Sequence, residues 1–143
     1  MKGNWIGKYW YSGNVPDRLK ERKTEFELTI ENHLNSKISG KVSDDLETGG
    51  TPGIGSFSGK IMGNRISFVK RMPVRSYFLP DGTNIEEDKP HRPIYYKGIL
   101  NAKENSIKGT WRFKFGIEFL NGRLAIYPST KGQWEMKKVI ISQ

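Results

Sequence analysis

The chain has 143 residues, 35% of them hydrophobic, with 16 glycines, no cysteine and a formal net charge of +9. That size and apolar content suit one domain over residues 1–143 with a core of its own, not a disordered chain. The missing cysteines exclude a disulfide framework and a thiolate metal site, and no stretch reaches the roughly 18 apolar residues of a membrane span.

Met1, Lys2 and Gly3 lead straight into patterned sequence with no apolar run of signal-peptide length, so the expectation is a soluble, cytoplasmic protein. A pI near 9.8 favours anionic partners: nucleic acid, phospholipid headgroups or an acidic small molecule. The plain alternative is that the charge only keeps a small protein soluble.

The first predicted strand is GNWIGKYWYSG (3–13), where Trp5, Gly7, Tyr9 and Tyr11 share one face and Lys8 and Trp10 the other. Residues 12–23 then hold Pro16 and room for a short helical turn. TEFELTIE (24–31) sets Phe26, Leu28 and Ile30 against Glu25, Glu27 and Glu31. SKISGKVSD (36–44) aligns Ile38, Gly40, Val42 and Asp44, and IGSFSGKIM (54–62) aligns Phe57, Gly59 and Ile61. A glycine-asparagine hairpin over 62–65 leads to NRISFVKRM (64–72), which aligns Ile66, Phe68, Lys70 and Met72. Residues 76–92 read as a long loop with proline, Asp-Gly and the acidic run Glu86, Glu87 and Asp88. PIYYKGILN (93–101) brings Tyr96 and Leu100 to the shared face, and a second hairpin over 101–106 follows. NSIKGTWRFKF (105–115) presents Trp111, Phe113 and Phe115, and GQWEMKKVI (132–140) presents Trp134 and Met136. Residues 116–130 are irregular, with a short strand around Leu124–Tyr127.

About eight strands with short links pair antiparallel in sequence order. Mid-strand glycines recur between apolar residues, as in Ile38-Gly40-Val42, Phe57-Gly59-Ile61, Tyr96-Gly98-Leu100 and Ile107-Gly109-Trp111. A glycine there costs packing, so its repeated use points to a concave face that bends until the sheet closes. The fold expected is all-β, an eight-stranded antiparallel up-and-down β-barrel.

The opening GNW resembles the Gly-x-Trp of the calycin group, which includes lipocalins, fatty-acid-binding proteins and, more loosely, avidins. The chain is similar along more of its length to small barrels of unassigned function. Those share a Trp-x-Gly-x-Tyr opening, here WIGKYWY (5–11), with GSFSGKI (55–61) and ISFVKRM (66–72) matching later strands. The calycin resemblance implies that Trp5 plugs one barrel end, with Lys137 or Lys138 of the last strand packed across it. It also implies a small, partly apolar ligand at the other end, framed by residues 12–23 and 76–92. The lipocalin disulfide, the helix pair of fatty-acid-binding proteins and avidin's biotin-binding set are not found on this chain.

Among the inward positions Lys70 is the exception, since a buried ammonium needs a partner. Three readings stay open. Lys70, with Tyr9, Tyr11, Tyr96 and Asp44 and the neighbouring Trp111 and Met72, binds the anionic end of a small molecule; or Lys70 and Asp44 merely satisfy each other; or Lys70 lies at the rim and reaches water. Catalytic chemistry has little support: His33 and His91 fall in turns or loops, no serine sits in a nucleophile elbow, and GGTPGIGSFSG (49–59) precedes a strand where a phosphate loop needs a helix. No metal-ligand spacing and no cofactor motif is present, so the expectation is a non-enzymatic binding protein without cofactor. The alternative is a nucleic-acid or polyanion module: Arg71, Lys97 and Arg112 lie outward on consecutive strands, with Trp10 and Tyr95 as rings elsewhere on the outside.

Overall fold

The computed structural model describes residues 1–13, 15, 17–73, 75–78, 84–87, 93–113, 116–120, 122–127 and 130–140; for 75–78, 84–87, 116–120, 123 and 125–127 the backbone alone is described, as it is for Leu19. The elements in chain order are β1 (Gly3–Ser12), α1 (Asp17–Glu21), β2 (Thr24–Leu34), β3 (Lys37–Asp44), β4 (Ile54–Met62), β5 (Arg65–Arg71), β6 (Arg75–Phe78) and β7 (Asn84–Glu87). They continue with β8 (Ile94–Asn101), β9 (Ser106–Phe113), β10 (Gly116–Leu120), β11 (Arg123–Tyr127) and β12 (Thr130–Lys138). Eight strands form one closed antiparallel barrel in the order β1-β12-β9-β8-β5-β4-β3-β2. Chain neighbours pair throughout, and β1 against β12 closes the ring, from Trp5 opposite Lys138 to Ser12 opposite Lys131. This is the expected up-and-down barrel.

Two hairpins lie outside that ring. β6 pairs with β7 within the stretch read from sequence as a loop, and β10 pairs with β11 where a short strand was expected. The first was missed because Arg75–Phe78 and Asn84–Glu87 are four residues each, too short for alternation to register. His33, expected in a turn, lies near the end of β2 opposite Ile38. His91, Asp88 and Phe115 lie outside the described residues.

The face carrying the glycines points inward, and the core is the alternating set expected, from Trp5, Phe26, Leu28 and Ile30 round to Trp134 and Met136. Ile107 and Ile94 join it as well. The glycines do more than permit bending. Added β-carbons at Gly7, Gly40, Gly98 and Gly132 would meet the rings of Phe26, Phe57, Trp134 and Trp111, which lie across those glycines. Each glycine thus makes room for a large ring, and the rings fill the barrel. Buried indole N–H groups find backbone acceptors: Trp134 Nε1 donates to the carbonyls of Lys97 at 3.0 Å and Thr110 at 3.1 Å. Trp111 Nε1 likewise donates to Gln133 at 3.1 Å and Trp10 at 3.2 Å. These bonds offset the cost of burying a polar N–H and fix the rings' orientation.

The barrel ends differ. At one, short turns at 35–36 and 63–64 and the turn at 102–105 join the strands. There Trp5 is buried, its Nε1 donates to the Met1 carbonyl at 3.2 Å, and Met1 packs on the core. The register puts Lys138, not Lys137, opposite Trp5. At the other end the chain leaves the barrel in longer excursions: residues 13–23 with α1, residues 45–53, and the two side hairpins. Among the described residues no helix is long and apolar enough to cross a membrane.

Candidate functional site

At the end with the longer excursions, the strands and the 45–53 loop enclose a small cleft of about 30 Å³ lined by Tyr9, Tyr11, Thr24, Asp44, Gly49, Thr51, Ile94, Tyr96, Trp111 and Phe113. That volume holds two or three waters, each needing roughly 10–15 Å³ by this measure, and no long acyl chain. The lumen below is packed, among the described residues, with the rings of the aromatic core.

Its floor is an ion pair. The alternation of β5 that buries Ile66, Phe68 and Met72 drives Lys70 inward, and the Ile38-Gly40-Val42 face of β3 ends inward at Asp44. Lys70 Nζ donates to Asp44 Oδ1 at 2.7 Å, with only 2% and 1% of the two side chains exposed. The second carboxylate oxygen accepts from the Tyr9 hydroxyl at 2.9 Å and from the Thr51 N–H at 3.2 Å. Lys70 Nζ also lies 4.8 Å from the Tyr9 ring centroid and 5.9 Å from that of Tyr96. The ammonium is therefore enclosed by carboxylate, hydroxyl and ring faces.

The titration behaviour follows. Burial works against the Lys70 charge, but the neighbouring Tyr96 and Asp44 oxygens outweigh it and raise its pKa. Burial pushes the Tyr96 phenol up to about 12, with Lys70 acting in the opposite sense. Burial also lifts Tyr11 to about 12, and lifts Tyr9 well above the ordinary phenol value with help from the Asp44 charge. At neutral pH the three phenols stay protonated and Lys70 stays charged.

Above this floor one wall is aromatic. Tyr11 and Phe113 stand edge-to-face on Trp111, with ring centroids 5.1 and 5.8 Å away. The opposite wall is the 45–53 loop, which sequence reading passed over. It is bound to β2 by the Thr24 hydroxyl donating to the Thr48 carbonyl at 3.0 Å and the Glu25 N–H donating to the Thr48 hydroxyl at 2.9 Å. Gly49 turns this loop at φ 98°, and a β-carbon there would lie 2.7 Å from Arg22 Cζ, so the Arg22 guanidinium packs on the rim of the cleft. The available signal was Asp44-Asp45 followed by Thr48, Gly49 and Gly50, a turn-forming run directly after a strand.

Of the residues expected at the site, Tyr9, Tyr11, Tyr96, Asp44 and Trp111 line the cleft together. Lys70 lies beneath it, held by Asp44, and Met72 is buried in the core beside Gly55. The outward Trp10 is half-buried, with Lys23 Nζ 4.6 Å from its ring centroid. On the outer surface Tyr95 is directly opposite Arg112, so ring and cation sit side by side and not apart as expected. On β3, β4, β5, β8 and β9 the outward charges are all cations: Lys37, Lys41, Lys60, Arg65, Arg71, Lys97, Lys108 and Arg112 are each exposed. Glu25, Glu27 and Glu31 lie on β2 and Glu135 on β12. Comparison with protein-family models, with curated proteins and with solved structures found no match.

Proposed function

We propose that this calycin-like barrel is a non-enzymatic binding protein for a small, partly apolar molecule, held at the mouth. The observation that carries this reading is the cleft itself, with an aromatic wall of Tyr11, Trp111 and Phe113 facing polar Asp44, Thr24 and Thr51. Pockets that orient small ligands pair apolar walls with a few placed polar groups. At about 30 Å³ the cleft takes only the tip of such a molecule, so the rest lies over the rim, with any anionic end directed to Arg22. Lys70 then acts as a positioning residue that holds the Asp44 carboxylate in place. The absence of an acid or base poised near neutrality among Lys70, Tyr9, Tyr11 and Tyr96, all with raised pKa values, favours binding over proton-transfer catalysis.

The test is native mass spectrometry of freshly purified protein, followed by calorimetry with small aromatic carboxylates such as benzoate and their neutral analogues. A retained small molecule, or saturable binding that Arg22→Gln weakens about tenfold for carboxylates alone, is expected; tenfold corresponds to about 1.4 kcal/mol, one charge-assisted contact. No retained species and no binding across the series would refute the reading.

A further inference from the structure

Five of the outer cations, Lys37, Lys60, Arg65, Lys97 and Lys108, fall on two neighbouring rows of outward side chains that cross β3, β4, β5, β8 and β9. One row runs through Leu34, Lys37 and Lys60 to Ser67 and Lys97, each opposite the next in the strand pairing. The row beside it runs Met62, Arg65, Ile99 and Lys108. In the second row cations alternate with aliphatic side chains, and these aliphatics are bare: Met62 and Ile99 are 69% and 59% exposed. Met62 and Ile99 lie two strands apart, roughly 10 Å at the usual strand spacing. Glu135 stands opposite Lys108 at the edge of the second row, yet none of these five cations is in an ion pair among the described residues.

Two large aliphatics exposed as neighbours and flanked by unpaired cations mark a surface that meets a partner. We propose that this patch docks on the anionic surface of a lipid bilayer. Met62 and Ile99 enter the boundary between headgroups and acyl chains, and Lys60, Arg65, Lys97 and Lys108 around them pair with headgroup phosphates and carboxylates. Interfacial binding draws on those two contributions, buried apolar area and attraction to anionic lipid. The side chains themselves discriminate among polyanions. A single-stranded nucleic acid is held by stacking its bases on rings, and aliphatic tips offer no ring face. Tyr95, the aromatic on these strands' outer side, is half-buried and stands opposite Arg112, one row beyond Lys97. A second copy of the chain would bring like charges together.

The experiment is co-sedimentation of the full chain with phosphatidylcholine vesicles, with and without phosphatidylserine, over a range of salt. Binding to the phosphatidylserine vesicles alone, weakening with salt, is expected. Arg65→Gln with Lys108→Gln should weaken it by about 25-fold, about fivefold per charge at the surface. Met62→Ser with Ile99→Ser should weaken it too while leaving charge and thermal midpoint unchanged, because both side chains are exposed. No sedimentation with phosphatidylserine at low salt overturns the proposal, as does binding indifferent to Met62→Ser with Ile99→Ser. Retention of a single-stranded oligonucleotide tighter than that of vesicles would assign the face to nucleic acid instead. Self-association abolished by the same two serines would assign it to a second copy.

Discussion

Substituting Asp44 by Asn tests the floor of the cleft directly. Lys70 would keep its charge at 2% exposure, with an amide where the carboxylate stood 2.7 Å away. Removing one partner of a buried pair typically costs about 3–5 kcal/mol, because the other charge is left uncompensated. Lys70→Met leaves a different remainder. Asp44 still accepts from the Tyr9 hydroxyl and the Thr51 N–H and borders a cleft that admits water, so a smaller loss of about 1–3 kcal/mol follows. The double variant removes both charges, and the amide oxygen introduced by Asp44→Asn inherits those two donors. It should therefore be more stable than Asp44→Asn alone, with the two effects far from additive. Urea denaturation of the four proteins, read as midpoints at constant slope, measures the cycle. The reasoning fails if Lys70→Met proves as damaging as Asp44→Asn, or if the double variant loses the sum of the two.

The same cluster predicts alkaline sensitivity. Tyr96, Tyr11, Tyr9 and Lys70 all titrate higher in the folded chain than in the unfolded one, so their contribution is full below about pH 10 and is lost as pH climbs through the raised values. For Tyr96, 3% exposed and moved from 10.0 to about 12, the loss is on the order of 2–3 kcal/mol, and a denaturation midpoint that does not fall between pH 9 and 12 would contradict the burial argument. Two glycines should respond very differently to alanine. A β-carbon at Gly109 would fall on the Lys97 carbonyl oxygen and 2.5 Å from Gly98 Cα, so Gly109→Ala should prevent native folding, whereas Gly63, at φ 60° with nothing within 4 Å, should lose only about 1–2 kcal/mol to backbone strain. Far-UV circular dichroism and thermal melting separate the two outcomes.

The barrel was legible because each ring strand is seven residues or longer and alternates cleanly, and because its turns carry Gly63-Asn64 or the run ending at Asn105. The inward placement of Lys70 followed from the same alternation, and so did its pairing with Asp44, since both extend apolar faces. What did not follow was which way each glycine serves. Ile38-Gly40-Val42 reads as a bend, but the ring lying over Gly40 belongs to Phe57, a cross-strand neighbour that no single strand reveals. The cleft was half legible for a similar reason. Tyr9, Tyr11, Tyr96, Asp44 and Trp111 are strand residues, whereas Thr51, Gly49 and Arg22 reach the mouth through loops whose course depends on hydrogen bonds to Thr24 and Glu25.

The position of the ion pair bears on why charge is kept there at all. Isosteric apolar replacements of buried pairs are often as stable as the originals or more so, so Lys70 and Asp44 are poorly explained as a stabilising device. Their location supplies another reason. Phe68 stacks on Tyr96 at 4.7 Å and packs edge-to-face on Trp134 at 5.5 Å, so the lumen beneath the pair is continuous aromatic packing. Around the pair and towards the mouth lie Tyr9, Tyr11 and Tyr96 and the cleft they line. An apolar floor would let the rings of Tyr9 and Tyr96 relax into the core and carry their hydroxyls with them. A carboxylate anchored by Lys70, Tyr9 and Thr51 instead holds β1, β3, β5 and the 45–53 loop to one point. The pair's contribution is thus to the shape and polarity of the mouth more than to the barrel's stability, which is why its loss should register in ligand binding even where the barrel still folds.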